Sequence, residues 1–446
     1  MSAADLTVRR RSSPAMARAG WDSRDLRRRL GLALEIAERA VMVLGTEGYG
    51  GDGRDAVRPE KVLAETALLL LASRPAITDA PVDAELGARH RRLAETLVQF
   101  GRSERVAALM TLEPSVSMEH GFVHIILTQI GMPDARFDRL LEAAQAASAA
   151  RSRERRPHRR LEQAWMRRLA GLRDDGPDTD VADRTDVAIS ILAHPLDALA
   201  STSDDAYAFT HALMYAGDMG LRVPRLPRGQ ATIEADAEAA LGRCLDDQDF
   251  DLGGEVLLTW PLLRRPWSAA ATFGFGCLAA IEDEAGFLPG LSVSTEAFAA
   301  LEGEQRTRYA VAMSYHTAYV MGLLCALSLR PGPVPPTTVP KSRHHRGASD
   351  ALARLADGDV SSGRPRHWES RFTDLAAEQR DALAPLVLAI HLRRSARDRD
   401  LAVVQTLLRL AADYDLLDAP APRQALELLS RARLLQRETV ASDRPA

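Results

Sequence analysis

Three segments of this chain are apolar on nearly every side of the helix they would form: 121–130 (Gly-Phe-Val-His-Ile-Ile-Leu-Thr-Gln-Ile), 206–214 and 310–327. A helix without a polar face is stable only in the interior of a protein. Other stretches, such as 24–39 and 423–437, set Arg, Glu and Asp against an apolar side, the pattern of a surface helix. Runs that alternate apolar and polar residues with period two, the mark of a half-buried strand, are nearly missing. The chain is therefore expected to be all-α, with some helices shielded behind others. A toroid of paired inner and outer helices (an α/α toroid) meets that requirement, and so does a curled α-solenoid. No fixed sequence period supports a regular repeat array.

Helical spacing predicts helices over 22–45, 58–74, 81–101, 117–131, 133–148, 156–171, 203–219, 231–247, 251–263, 268–285, 305–329, 371–395, 399–414 and 421–438. Residues 1–20 lack periodicity and read as a disordered tail, leaving 21–446 as one large helical domain. Two interruptions are long. Residues 173–187 are acidic and broken by Gly and Pro; 331–348 are Pro-rich and then basic, and read as a lid or linker. His344 and His345 within the second are expected to be solvated.

A formal net charge of -4 and the absence of a basic face argue against nucleic acid as a partner. Cys244, Cys277 and Cys325 are far apart and show no Cys-x-x-Cys spacing, so neither a zinc site nor a disulfide framework is expected. Arg9-Arg10-Arg11 has no apolar run behind it and does not read as a signal peptide. Segment 310–329 approaches the length of a membrane span, but its Ser, Tyr, His and Thr suit a buried core helix better. These features together predict a cytoplasmic protein with no membrane partner. Lys61 and Lys341 are the only lysines, and neither lies within an apolar core pattern.

Polar residues inside the apolar segments fall at helical spacing. His120, His124 and Thr128 share one stripe; Asp204, Tyr207, His211, Tyr215 and Asp218 share another. Tyr315, His316 and Tyr319 form a third group, and Asp251, Glu255 and Thr259 a fourth. So much buried polarity needs a cavity or water beside it. The pair His120 and His124 has the spacing of two ligands to one metal, but no third ligand is near, so no metal or cofactor is expected. The carboxylates from Asp246 to Asp251 could hold Mg²⁺ and a diphosphate, as in class I terpene synthases. The plainer account makes Asp251 the cap of the next helix. Asp174-Asp175-Gly-Pro-Asp178 formally matches a diphosphate motif but stands in a Gly/Pro-broken loop. Gly286-Phe287-Leu-Pro-Gly290, after a helix ending in acids, looks like the turn following inner helices in polyprenyl cyclases and protein prenyltransferases, which are α/α toroids.

Thr210-His211-Ala-Leu-Met-Tyr215, Asp251-Leu-Gly-Gly-Glu255 and Tyr315-His316-Thr317 resemble a group of actinobacterial proteins of unassigned activity, over residues ~60–330. Similar stand-alone proteins occur beside peptide-modifying enzymes. The resemblance implies a relation to lanthionine cyclases, helical toroids that add peptide cysteine thiols to dehydrated residues. This chain departs from them in lacking their Cys, Cys-His zinc set. The expectation is a metal-independent cyclase that forms thioether rings, with His211, His316 and Tyr315 or Tyr215 dividing the acid and base roles. His120, His124, Tyr207, Asp218, Asp251, Glu255 and Tyr319 would line the substrate site. The expected partners are a peptide or small-molecule substrate and other biosynthetic enzymes.

Two readings compete with it. One is a hydrocarbon cyclase, although 5% aromatic residues is little for stabilising carbocations. The other is a non-catalytic helical scaffold that binds a peptide or a partner enzyme. The histidines discriminate: if His124, His211 and His316 face one cavity, chemistry is favoured; if they are scattered, each reverts to a packing role.

Overall fold

A computed structural model describes residues 20–47, 59–78, 84–172, 185–342, 344–356 and 366–442. The expected tail, apart from Gly20, and the Asp174–Asp178 motif lie outside those residues. Among the described residues there is no strand, and the protein is all-α.

The N-terminal helices are α1 (Ser23–Glu47), α2 (Pro59–Thr78), α3 (Ala84–Gly101), α4 (Glu104–Leu112), α5 (Ser117–His120), α6 (Phe122–Gln129), α7 (Ala135–Ala146) and α8 (Pro157–Leu169). The middle of the chain forms α9 (Ser203–Ala216), α10 (Gln230–Asp247), α11 (Phe250–Leu257), α12 (Thr259–Leu263), α13 (Ala269–Ala285), α14 (Thr295–Ala300) and α15 (Gly303–Ser328). The C-terminal part adds α16 (Ala348–Ala356), α17 (His367–Thr373), α18 (Ala377–Ala382), α19 (Ala384–Arg397), α20 (Leu401–Asp413) and α21 (Pro420–Ser442). Short helices α4, α14 and α16 escape the sequence pattern because so few turns show little periodicity. The predicted 371–395 helix is broken into α17, α18 and α19 at Asp374 and Leu383.

Six helices touch one another in a closed cycle: α2 meets α6, α6 meets α8, α8 meets α9, α9 meets α11, α11 meets α15, and α15 returns to α2. The helices between them in sequence pack against the outside of this cycle. Helix α1 lies on α15 and α2, α3 on α2 and α6, and α10 and α13 on α11. The wholly apolar segments are thus cycle members α6, α9 and α15, and the amphipathic α1 is an outer helix.

Glycines let the members close up. A Cβ on Gly322 of α15 would lie 2.5 Å from Ala33 of α1 and 2.9 Å from Leu69 of α2. One on Gly254 of α11 would meet Val320 of α15 at 2.7 Å. On the outside, Arg29 of α1 is fully buried and pairs with Glu282 and Asp283 of α13, the second at 2.7 Å. This joins the first outer helix to the last. Helix α15 is long and apolar enough to cross a membrane, but most of that length is buried against α1, α2 and α11.

The Pro-rich segment runs along the surface as a strap. Trp21 N–H donates to Pro335 O at 2.9 Å, Trp267 Nε1 to Pro333 O at 3.2 Å, and Gln379 to Val339 O at 3.0 Å. His345 Nδ1 lies 2.9 Å from Tyr414 O, so this ring is tied to the backbone rather than solvated.

Candidate active site

The cycle encloses a cavity of about 620 Å³, to which all of its members contribute. Helix α2 supplies Lys61 and Glu65, α6 supplies Phe122, and α8 supplies His158, Arg159 and Glu162. From α9 come Tyr207, His211 and Tyr215; from α11, Glu255; and from α15, His316 and Tyr319.

Local sequence sets these registers. A capping box of Thr202 and Asp205 starts α9, so Tyr207, His211 and Tyr215 follow on one face. Helix α11 starts at Asp249, whose side chain accepts from Leu252 N–H at 3.2 Å. The cap is therefore Asp249, two residues before Asp251, because the helix begins at Phe250. Asp251 is freed to face inward.

His316 is held among carboxylates. Its Nδ1 lies 3.0 Å from Glu65 Oε2, and its Nε2 lies 3.3 Å from Asp251 Oδ2 and 3.9 Å from Glu255 Oε1. Burial opposes the charged imidazole, but the contacts with Asp251 and Glu65 outweigh it and push the pKa up to about 10. Burial likewise opposes the Asp251 anion, and His316 and Tyr207 hold its pKa below the usual range. His316 is thus a cation at neutral pH. Of the acid and base roles that the sequence pattern divides among His211, His316 and a tyrosine, a charged His316 suits the acid side.

His211 lies across the cavity from this cluster and shares Glu255 with it. Its Nε2 is 3.6 Å from Glu255 Oε2, which also accepts a 2.6 Å hydrogen bond from Thr210. The ring is flanked by Tyr207 and Tyr215, with centroids at 6.1 and 5.9 Å, and by His158 at 6.0 Å. With the Nε2 proton directed at Glu255, the lone pair lies on Nδ1, which is buried and has no hydrogen-bond partner among the described residues. Burial, then the neighbouring His211 and Arg159, push His158 down to about 4, so it is neutral.

The tyrosines are fixed donors. Burial and then nearby carboxylates raise the hydroxyls of Tyr207 and Tyr215. Tyr207 donates to Asp251 at 2.7 Å and Tyr215 to Glu162 at 2.9 Å. Tyr319 shares a 3.0 Å hydrogen bond with Thr66. Tyr315 packs beside His316 and Tyr319 but is not in the lining, and burial raises it too.

Three expected site residues lie elsewhere. His124 is 1% exposed on the outer side of α6; Arg102 donates to its Nδ1 at 3.1 Å and its Nε2 meets Asp138 at 3.0 Å. It lines a separate cavity of about 310 Å³. His120 pairs with Glu113 at 3.3 Å. Asp218 leaves the α9 stripe because the helix ends at Ala216 and Asp218 itself has φ 48°; it pairs with Arg168 and Arg222 at 2.8 and 2.7 Å. The two histidines were misplaced because stripe geometry says which residues share a face, not which neighbour that face meets.

Conversely, Glu65, Lys61, His158, Arg159 and Glu162 were missed. Glu65 had a usable signal: it is the one charged residue between Lys61 and Arg74 in an apolar run. His158 was hidden among arginines. Lys61, set aside on pattern, lines the cavity with its Nζ 3.5 Å from Glu65. Among the described residues, no set of three His, Cys, Asp or Glu side chains has metal-holding geometry. Asp246 and Asp247 are neutralised by arginines: Arg366 meets Asp246 at 3.2 Å and Arg393 meets Asp247 at 2.6 Å.

No curated protein and no solved structure matches the chain. Residues 30–326 match the family described as a domain of unknown function, DUF6895. That stretch contains every residue that lines the cavity and stops before α16–α21. The chain therefore belongs to the DUF6895 family, and the helical cycle with its cavity lies within the part that defines membership.

Proposed function

We propose that the protein is an enzyme performing proton transfer on a substrate enclosed by the cycle of helices, and that its reaction is ring closure on a modified peptide. The observation that carries this reading is the pair of histidines driven in opposite directions on one cavity. His316 is held as a cation and His158 as a neutral ring, while His211, the base of the mechanism, shares Glu255 with the first and packs against the second. Separated protonation states in one site are the usual arrangement for dividing acid and base roles. A closed cycle of helices with others packed around it supports a toroid-like arrangement. Asp246 and Asp247 are bound up by arginines, Asp249 by a helix cap and Asp251 by His316 and Tyr207, which lends the hydrocarbon-cyclase alternative no support.

In this mechanism His211, oriented by Glu255, removes the proton from a substrate cysteine thiol. The sulfur bonds to the β-carbon of a dehydrated residue, and the double-bond pair moves onto the carbonyl as an enolate. The His316 cation stabilises that charge, and the His211 proton is returned to the α-carbon. The protein's own thiols take no part: Cys244, Cys277 and Cys325 are buried, and burial pushes Cys277 up to about 12. The setting we assign is cytoplasmic, with the peptide and its other modifying enzymes as partners.

A synthetic peptide carrying one dehydroalanine and one cysteine provides the test. Ring closure leaves the mass unchanged but removes the alkylatable thiol. The expected result is thiol loss accelerated by the protein and abolished by His211→Ala. Equal rates with and without protein would overturn the reading, and binding of the peptide without ring closure would favour the scaffold alternative.

A further inference from the structure

The lining of the main cavity changes character along each helix that supplies it, always in the same order. Glu65 of α2 comes before Leu68, Glu162 of α8 before Met166, and His211 of α9 before Met214. Glu255 of α11 precedes Leu258, and His316 of α15 precedes Leu323. Among the described residues, no charged lining side chain lies beyond these leucines and methionines on its own helix.

Contacts between the helices show that this order is an order of depth. At one level His316 meets Glu65 at 3.0 Å and Glu255 at 3.9 Å, and Glu255 meets His211 at 3.6 Å. At the other end Gln129, which closes α6, donates to Leu169 O, which closes α8, at 2.6 Å. Arg330, just past α15, donates to Met219 O, just past α9, at 2.7 Å, and to Ala72 O late in α2 at 3.2 Å. Starts thus meet starts and ends meet ends, so these helices run in parallel around the cavity. The mouth lies at their N-terminal side, where the side chains of Arg156 and Asp204 are 71% and 76% exposed. The far side is closed by the bonds of Gln129 and Arg330.

The cavity is therefore a cup with a titratable tier above an apolar floor. Leu68, Met214 and Leu258 each follow a residue of that tier by three positions, or about 4.5 Å of helix rise. Leu323 follows His316 by seven, or about 10 Å. Met166, Met214 and Leu323 are buried. A polar group set among them would lose its water without gaining a partner, whereas an apolar group gains by leaving water. The thioether chains of the two methionines adapt to the shape of what they enclose.

We propose that this floor receives an aliphatic chain of the substrate, which enters tail first and leaves the reacting group at the level of His211. The proposal rests on the cavity reading above and names the group that anchors the substrate: on a peptide, an alkyl side chain close to the reacting residue.

The test is calorimetry on the full chain at neutral pH with 1-butanol, 1-hexanol and 1-octanol, and with triethylene glycol as a polar chain. Affinity is expected to rise by about 4-fold per methylene, and the glycol is expected to bind more weakly than butanol. Leu68→Gln and Met214→Gln, which set an amide on the floor, are each expected to weaken octanol by about 10-fold. Methionine-methyl NMR on the wild type gives a second reading if those variants unfold. Octanol should move the signals of Met166 and Met214, assigned through the volume-conserving Met166→Leu and Met214→Leu. Affinity that does not grow with chain length overturns the proposal, as do unmoved Met166 and Met214 methyls or a series that persists in the folded glutamine variants. The alcohols carry neither a thiol nor a dehydrated residue, so the outcome is separable from the cyclase test. A chain-length series that survives in His211→Ala while ring closure never occurs leaves this inference standing alone.

Discussion

His124 and His316 occupy matching sequence surroundings, each inside an apolar helix with a polar neighbour three or four residues away, yet the fold gives them opposite chemistry. His124 accepts a hydrogen bond from Arg102 at one nitrogen and faces Asp138 with the other, and burial followed by the Arg102 charge keeps its pKa below the usual value. His316 meets carboxylates at both nitrogens, and its pKa is pushed up to about 10. Burial is common to both. Burial lowers both, and carboxylates on α2 and α11 reverse the sign for His316, whereas Arg102, just beyond α3, adds to the lowering of His124 and Asp138 of α7 does not offset it. One ring is a neutral packing element, and the other is a fixed charge in a cavity wall.

The largest effect that could break this contrast is on turnover. His211→Ala should reduce ring closure by about 100-fold or more, whereas His124→Gln should leave the rate of the folded protein within a few-fold, as followed by thiol alkylation. The reverse result would move the site to the smaller cavity. Next in size, Asp251→Ala should destabilise the protein by about 3–5 kcal/mol in urea unfolding, because it removes the partner of a buried charge.

The pH dependence of stability should differ in sign between the two rings. The folded His316 pKa is raised above the unfolded ~6.5. Its contribution is therefore complete below 6.5 and is lost as pH climbs towards about 10. Between pH 7 and 9 that loss is on the order of 2 kcal/mol, and it should vanish in His316→Gln. His124 is depressed, so its burial costs nothing above 6.5 and destabilises as pH falls below that value. His158, depressed to about 4, acts in the same acid window. Urea midpoints across pH 4–10 for the wild type, His316→Gln and His124→Gln would resolve the two limbs. A flat alkaline limb in the wild type contradicts the account of His316.

The smallest effect concerns the partner of His124. Arg102→Ala should cost about 1–3 kcal/mol and let the His124 pKa rise, since a repelling cation is removed. Imidazole NMR titration would read it, and an unmoved His124 would show that burial alone sets its charge.

Much of the site was legible in the chain. Tyr207, His211 and Tyr215, with Glu255, His316 and Tyr319, were picked out by polar residues recurring at helical spacing within apolar runs, and the structure brings them to one cavity. Asp251 was singled out both as a cap, a role that Asp249 fills, and as a lining residue, whereas it sits behind the cavity wall against Tyr207 and His316. What failed was the extension of stripes past helix ends, as at Asp218, and across helices whose facing neighbours are unknown, as at His120 and His124. Lys61 and His158 failed for a different reason. On an amphipathic helix, a charged residue that faces a cavity has the same spacing as one that faces water.

The sequence by itself determined that the protein is helical and which helices are buried, because both follow from periodicity over a few turns of one segment. Only the tertiary structure decided that His316 is charged, that His124 is neutral and that Glu65, Glu255 and His211 share one enclosure. Those properties depend on Coulomb and hydrogen-bond contacts between residues far apart in the chain, over distances of a few ångströms that no local pattern records.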